Sequence, residues 1–438
     1  MLPPDDDPRP VAPVPPLPEE CCGSGCDPCV FDRYGDALDR YRSALKAWEA
    51  RHARRTRSAG PARFAARLQF LVLGMAVGTW GTHIPSVSAR YALGEASLSI
   101  VLLAVAIGTV LAMFIAGRVV AKIGARNTAA ASGPVMGASL VFALDYPGFV
   151  TLLVAMLVFG VSMSLFDVAI NTEGSELESA DGRRIMSNLH GMFSVGGMAG
   201  AGVTFALLQM NVAPPMQLLA VGGGLAVLSI VVSRAMLATH ASAAHDDDVA
   251  HFVWPRGVLL LIGTLVFAGM TAEGIMYDWS VLYLANEIGM PQAHAALGYA
   301  TFTASMAIAR FGGDELRARF AERAVLRTGA AIAAAAMALV LVSGNAWIAF
   351  AGFAVVGAGL APVAPILFNA ATRVAGVSRA AAIASVTTIG YSGFIVGPPI
   401  IGSIATASSL TAALFVVALC AALVAYGARY VPEAPRPR

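Results

Sequence analysis

Charge is what this chain has least of. Only 13% of its 438 residues are Asp, Glu, Lys or Arg, about half the share of an ordinary soluble domain, which argues against a water-soluble globule. Catalytic signatures are missing as well: there is no G-x-S-x-G elbow, no P-loop, no H-E-x-x-H and no ATP-binding domain. Any transport must therefore draw on a gradient or run passively. A net charge of +2, with no dense basic patch interleaved with aromatics, sets nucleic acid aside as a partner. No apolar run begins before about Phe64, so no cleavable signal peptide is expected near the start.

The charge that exists is unevenly placed. Residues 1–67 carry 11 Lys+Arg and 10 Asp+Glu, which is 21 of the chain's 56 charges. Two solvents are implied, water for this first part and lipid for the rest. Residues 1–18 hold eight prolines together with Asp5, Asp6 and Asp7, and are expected to form a disordered lead-in. A cysteine-rich segment over 19–60 follows, with Cys21, Cys22, Cys26 and Cys29 inside nine residues. Behind them Phe31, Tyr34, Leu38, Tyr41, Leu45 and Trp48 step by threes and fours, the spacing of one helix face, with Asp27 as N-cap and Pro28 as first helical residue. This amphipathic helix over 31–48 calls for a partner on its aromatic side. Thiols so close can share zinc or an iron–sulfur centre, or stand as a disulfide or a reduced turn. The run Cys22-Gly23-Ser24-Gly25-Cys26-Asp27-Pro28-Cys29-Val30, with Tyr34 and Tyr41 downstream, resembles the short oxidoreductase-like domain over about residues 17–50.

From Phe64 to Tyr430 there is room for twelve helices of ~20–25 residues with short loops. The expected spans are 64–88, 96–121, 127–145, 148–173, 187–211, 215–238, 257–286, 293–313, 324–343, 347–371, 381–406 and 409–430. If the N-terminus is cytoplasmic, 28 of the 29 basic residues fall on cytoplasmic segments and Arg90 alone falls outside. An even number of spans with both termini in the cytoplasm, in a cytoplasmic (inner) membrane, is therefore expected. That places the clustered cysteines in a reducing compartment, which disfavours a disulfide.

Three matches recur at nearly one offset: Trp80 with Trp279, Gly160 with Gly357, and Phe193-Ser194 with Tyr391-Ser392, spaced by 199, 197 and 198. They suggest two parallel six-helix halves, 64–238 and 257–430, joined by a cytoplasmic loop over 239–256. Such halves around a central cavity are the architecture of major facilitator transporters. The runs Thr79-Trp80-Gly81-Thr82-His83-Ile84-Pro85, Phe166-Asp167-Val168-Ala169-Ile170-Asn171, Ile185 through Ser194, and Tyr277-Asp278-Trp279-Ser280 resemble that superfamily, and within it the YbjJ-like branch. The superfamily's loop motif after span two is met by Gly117, Gly124 and Arg126, with Ala121 where an acid is usual. Met156 stands where many proton-driven antiporters carry an arginine, so the antiporter pattern of coupling does not carry over.

An ionisable group inside hydrocarbon is costly unless it faces a polar interior, so each one marks a candidate solute or proton site. Asp167 and Asn171 share a face of span four, with Asp167 ~9 Å from the span's cytoplasmic end. Ser187, His190 and Ser194 form a polar face on span five, at a depth where His190 and Asp167 can pair. Glu273, with Tyr277 one turn on, is the expected buried carboxylate for proton coupling, while Asp278 and Trp279 approach the outer interface, where Trp anchors. Thr79, Thr82, His83 and Ser86 line the outer part of span one, where Pro85 is expected to break the helix. Gly357, Gly359, Pro362 and Pro365 predict a broken span ten, Gly397-Pro398-Pro399 a hinge, and Arg310 a snorkelling cation or an ion pair with Asp314. The sequence thus reads as an all-α, twelve-helix secondary transporter of a small polar organic solute. Proton-coupled alternating access without a cofactor is the expected mode. Its rivals are a redox membrane protein using the cysteines and a non-transporting sensor.

Overall fold

The computed structural model of the chain describes residues 10–17, 29–58, 60–181, 185–237, 254–374 and 376–433. Cys21, Cys22, Cys26 and most of the 239–256 loop lie outside the described residues. Helices account for nearly everything described: α1 (Val30–Ser58), α2 (Gly60–Arg90), α3 (Glu95–Ile123), α4 (Ala125–Val141), α5 (Phe149–Asp181), α6 (Met186–Gln209), α7 (Pro214–Ser233), α8 (Gly257–Leu282), α9 (Gln292–Arg319), α10 (Glu322–Ser343), α11 (Ala346–Leu360), α12 (Val363–Ala371), α13 (Arg379–Ala407) and α14 (Leu410–Gly427). Counting α11 and α12 as one interrupted crossing, α2 to α14 make twelve passes. The face on which α2 begins and α14 ends is called here the terminal face, and the opposite one the far face.

Among the described residues, ten helices are long and apolar enough to span a bilayer by themselves. The two crossings that fall short are α4, with 17 residues, and α9. α9 is polar because its side chains are used inside the bundle: Gln292 bonds to α2, and Thr301, Thr303 and Ser305 bond their own helix. Its polar groups are thus satisfied partly by a neighbouring helix, through Gln292, and partly by its own backbone.

The halves repeat the same pairings: α2 with α6, α3 with α5 and α4 with α7 in the first, and α8 with α13, α9 with α11 and α10 with α14 in the second. Small residues make these approaches possible. A Cβ at Gly160 would collide with the Val105 carbonyl, and one at Gly357 with the Phe302 carbonyl. Val105 and Phe302 are themselves 197 apart, the same offset as the two glycines. The repeat is therefore a repeat of backbone contacts as well as of residue types. Across the halves, α6 packs on α9 and α3 on α13.

Three expectations change. Pro85 lies inside a continuous α2 and does not break it; close by, Gln292 Nε2 of α9 donates to the Thr82 carbonyl at 2.9 Å. Trp279 is fully buried among helices and is not an interfacial anchor. α5 runs on to Asp181, eight residues past the expected end of span four, so the helix carrying Asp167 and Asn171 continues through the acidic stretch Glu176, Glu178 and Asp181. Span ten breaks as expected, between Leu360 and Val363, while Pro398 and Pro399 sit inside an unbroken α13.

On α1, Tyr34, Leu38, Tyr41, Leu45 and Trp48 are half-buried, and Asp32, Asp36, Asp39, Arg40 and Arg42 are exposed. The Cys29 N–H donates to Asp32 Oδ2 at 3.2 Å just before the helix.

Candidate functional site

The strongest polar cluster in the bundle interior centres on α8. Glu273 and Tyr277 are one turn apart, and the Tyr277 hydroxyl donates to Glu273 Oε1 at 3.0 Å. Arg310 of α9 reaches the same oxygen through Nη2 at 3.0 Å. Its other amine, Nη1, donates to Ser194 Oγ of α6 at 2.8 Å, and Ser187 Oγ donates to the Arg310 carbonyl at 3.0 Å. One guanidinium thus joins a carboxylate of the second half to a hydroxyl of the first. The Arg310 and Glu273 side chains are 15% and 16% exposed, so the pair is largely buried yet still meets water. The Tyr277 ring is wedged among Phe193, Tyr299 and Phe302, which fixes the height at which its hydroxyl meets Glu273.

Arg310 accordingly does not snorkel: it forms an ion pair with Glu273, 37 residues away, while the Asp314 side chain lies outside what the structure describes. The usable signal was that it sits inside the last apolar stretch of α9, ahead of Gly312-Gly313, and not in the loop. In the first half Asn171 Nδ2 donates to Asp167 Oδ1 at 2.9 Å and also to its carbonyl, so the two residues satisfy each other along one helix face. His190 does not join them. Its ring meets Phe70 edge-on, with centroids 5.3 Å apart, it is exposed, and the charge within its reach is Arg310. Tyr391 of α13 lies within electrostatic reach of both Asp167 and Glu273.

Thr79 and His83 sit apart from this cluster. His83 is buried, its Nδ1 lies 2.8 Å from the Thr79 carbonyl, and Thr82 Oγ1 lies 3.0 Å from Thr204 Oγ1. Gly81, between them on the chain, faces the other way, toward the Tyr277 carbonyl and the Tyr299 ring. In the loop motif Gly124 has φ +85°, which makes the sharp α3–α4 connection, and Arg126 lies within electrostatic reach of Glu173. Glu173, unassigned from the sequence, is fully buried and accepts from the Leu237 N–H at 2.8 Å. Gly117 faces open space. Among the described residues, no group of three His, Cys, Asp or Glu is arranged to hold a metal.

The two ends of the bundle differ. At the far face the halves are cross-linked: Ser86 Oγ donates to Gln292 Oε1 at 3.0 Å, and Gly402 of α13 packs directly on Ser99 of α3. Toward the terminal face Arg310 on α9 bridges the halves through Ser187 and Ser194 on α6. Asp167, Asn171, Glu273 and Arg310 all retain some exposure. Among the described residues, the far-face end of the seam is thus held by contacts between the halves.

Comparison with known proteins agrees with this architecture. Residues 259–438 match the Major Facilitator Superfamily model, and residues 8–50 match the model described as oxidoreductase-like protein, N-terminal. An uncharacterized MFS-type transporter of Yersinia pestis is 37% identical over 365 residues, covering 83% of this chain and 94% of that protein. Among solved structures, the E. coli fucose:proton symporter FucP aligns at 18% identity with a TM-score of 0.55, over 84% of this chain and 98% of that one. A bacterial homolog of the human lysosomal transporter Spinster, inward-facing and unoccupied, aligns at 13% identity with a TM-score of 0.62, over 84% and 96%. At those identities the structures speak for the fold alone. Twelve crossings in two repeated halves, a charged cluster at their seam and a relative matched over nearly its full length lead to one conclusion: this chain belongs to the major facilitator superfamily of membrane transporters, with an oxidoreductase-like segment ahead of its first crossing.

Proposed function

We propose that the protein is a proton-coupled carrier of a small polar organic solute, working by alternating access in a cytoplasmic membrane with both termini in the cytoplasm. The observation that carries the reading is the Glu273 carboxylate held by Arg310 and Tyr277, with Arg310 reaching Ser194 across the seam. A proton arriving at Glu273 removes the charge that holds Arg310. The guanidinium is then released to the solute or to the other half, and its bonds to α6 rearrange. Coupling by this route needs no arginine at position 156. The positive-inside pattern supports the orientation. Asp167, Asn171 and Tyr391 complete a site rich in hydrogen-bonding groups, suited to a polar solute that leaves the transporter chemically unchanged.

Metal or cluster binding by Cys21, Cys22, Cys26 and Cys29 is a separate proposal, resting on thiol spacing alone, and metal analysis of the full-length protein with and without Cys26→Ser checks it. The transport reading is tested in proteoliposomes. A solute hit from a metabolite screen should drive proton entry in the native protein, whereas Glu273→Gln should keep solute exchange and lose proton entry. Coupled accumulation that survives Glu273→Gln rules out this carboxylate as the proton carrier.

A further inference from the structure

A second feature lies on the outside of the bundle, at the far-face end of the α3–α13 seam. Ala96, Ile100 and Leu103 of α3 and Pro399, Ser403 and Ala407 of α13 line a groove of about 450 Å³. We propose that this groove holds one acyl chain of a membrane lipid as a resident ligand.

Its chemistry suits hydrocarbon. The hydroxyls of Ser99 and Thr406, which also border it, donate to carbonyls of their own helices, Ala96 at 2.8 Å and Gly402 at 2.7 Å, so these donors are turned away from any occupant. No charged side chain lines it. Its floor is shut, because Gly402 packs on Ser99 and a Cβ there would also come within 3.1 Å of the Glu95 carbonyl. The groove therefore opens sideways and not into the transport cavity. Ile100 at its edge is 47% exposed, and Leu111 about three turns further along the same helix is 53% exposed, which continues the apolar belt that faces lipid. Depth agrees too: from Glu95 to Leu103 α3 descends ~12 Å, which lies within one leaflet of a ~30 Å hydrocarbon layer. Most of the lining is hydrocarbon, so a polar ligand gains little there, and a soluble protein cannot reach it.

The position gives the lipid a consequence. The Gly402–Ser99 contact is part of the far-face seal, and the halves must part there when the carrier turns over. An acyl chain lying against that contact supports the sealed state.

The full-length protein in phosphatidylcholine vesicles, doped with a lipid carrying a photoactivatable diazirine at mid-chain, provides the test. Labelling mapped by mass spectrometry should concentrate on 96–103 and 399–407, by about fivefold over the equally lipid-facing stretch 415–423 of α14, as a preference near RT ln 5 requires. Ser403→Phe should reduce groove labelling to the α14 level and leave α14 itself unchanged. If its melting temperature shows that this variant misfolds, Ile100→Phe takes its place. Uniform labelling of all lipid-facing helices, or groove labelling indifferent to the filling substitution in a folded variant, overturns the proposal.

Discussion

The two halves share a scaffold and differ in charge. Counting back 199 residues from Glu273 and Tyr277 on α8 gives Gly74 and Gly78 on α2. In the second half those two positions carry the carboxylate and the hydroxyl that meet Arg310. In the first half they are bare, and α2 lies so close to α6 that a Cβ at Gly74 or Gly78 would strike the backbone of Phe193 or Gly197. The same contrast holds elsewhere. Asp167 has Ala364 as its counterpart 197 residues on, and Arg310 has Met113 at the same offset back. Duplication supplied two similar helix frames, and polar chemistry was then divided between them. One half carries the ion pair, and the other packs tightly and offers Ser194 to it. A coupling device built this way works only when the halves face each other.

The contrast breaks most completely at Glu273. Glu273→Gln keeps the shape and the Tyr277 contact but cannot exchange a proton, so proton-driven accumulation should fall to background while solute exchange persists, as measured in vesicles with and without a pH gradient. Removing the other partner has a structural effect instead. Arg310→Ala leaves Glu273 buried without its cation, which should cost about 3–5 kcal/mol of apparent stability, read from thermal unfolding in detergent. The double variant Glu273→Gln with Arg310→Gln should recover much of that loss, because no buried charge remains unpaired. On the packed side, Gly78→Ala pushes a methyl into the Gly197 carbonyl and should cost about 1–3 kcal/mol by overpacking, without altering the proton-to-solute ratio of the protein that does fold.

Much of this organisation could be read from the residues. Twelve crossings follow from apolar runs of spanning length, and the repeat shows in three matched pairs because close helix contacts admit only small residues. Glu273 stood out as a carboxylate deep inside an apolar run. The partner of Arg310 was harder to see. Along the sequence its acidic neighbour is Asp314, one turn away, and a basic residue near a loop conforms to the positive-inside pattern whatever it touches. Only tertiary packing brings α8 beside it. Trp279 misled for a related reason, since the preference of Trp for interfaces is statistical and says nothing of the helices that surround this one. Asp167 and His190 sit on consecutive helices at similar depth, yet the rotation of each helix decides what faces what, and Asn171 is nearer to hand.

Asp167 offers a finer comparison with Glu273. Asp167→Asn retains an oxygen for the Asn171 amide, so stability should shift by no more than about 0.5–1.5 kcal/mol, the worth of one hydrogen bond. If transport of the solute weakens while the proton-to-solute ratio is kept, Asp167 belongs to the solute and Glu273 to the proton. Loss of the ratio in both variants would instead make the two carboxylates one coupled site.

The smallest effect is expected in the loop motif, where two glycines of one pattern do different things. Gly124 takes φ +85°, which an alanine adopts only with strain, so Gly124→Ala should lower the melting temperature. Gly117 is an exposed position within α3 with nothing in front of it, and there alanine restricts the unfolded chain without meeting any neighbour. Gly117→Ala should therefore raise stability by about 0.5–1 kcal/mol and leave transport unchanged. A fall in transport rate without any fall in melting temperature would mean that the space before Gly117 is filled in the opposite-facing state. The α3 surface would then meet the second half there, and the glycine would be needed for motion rather than for the fold.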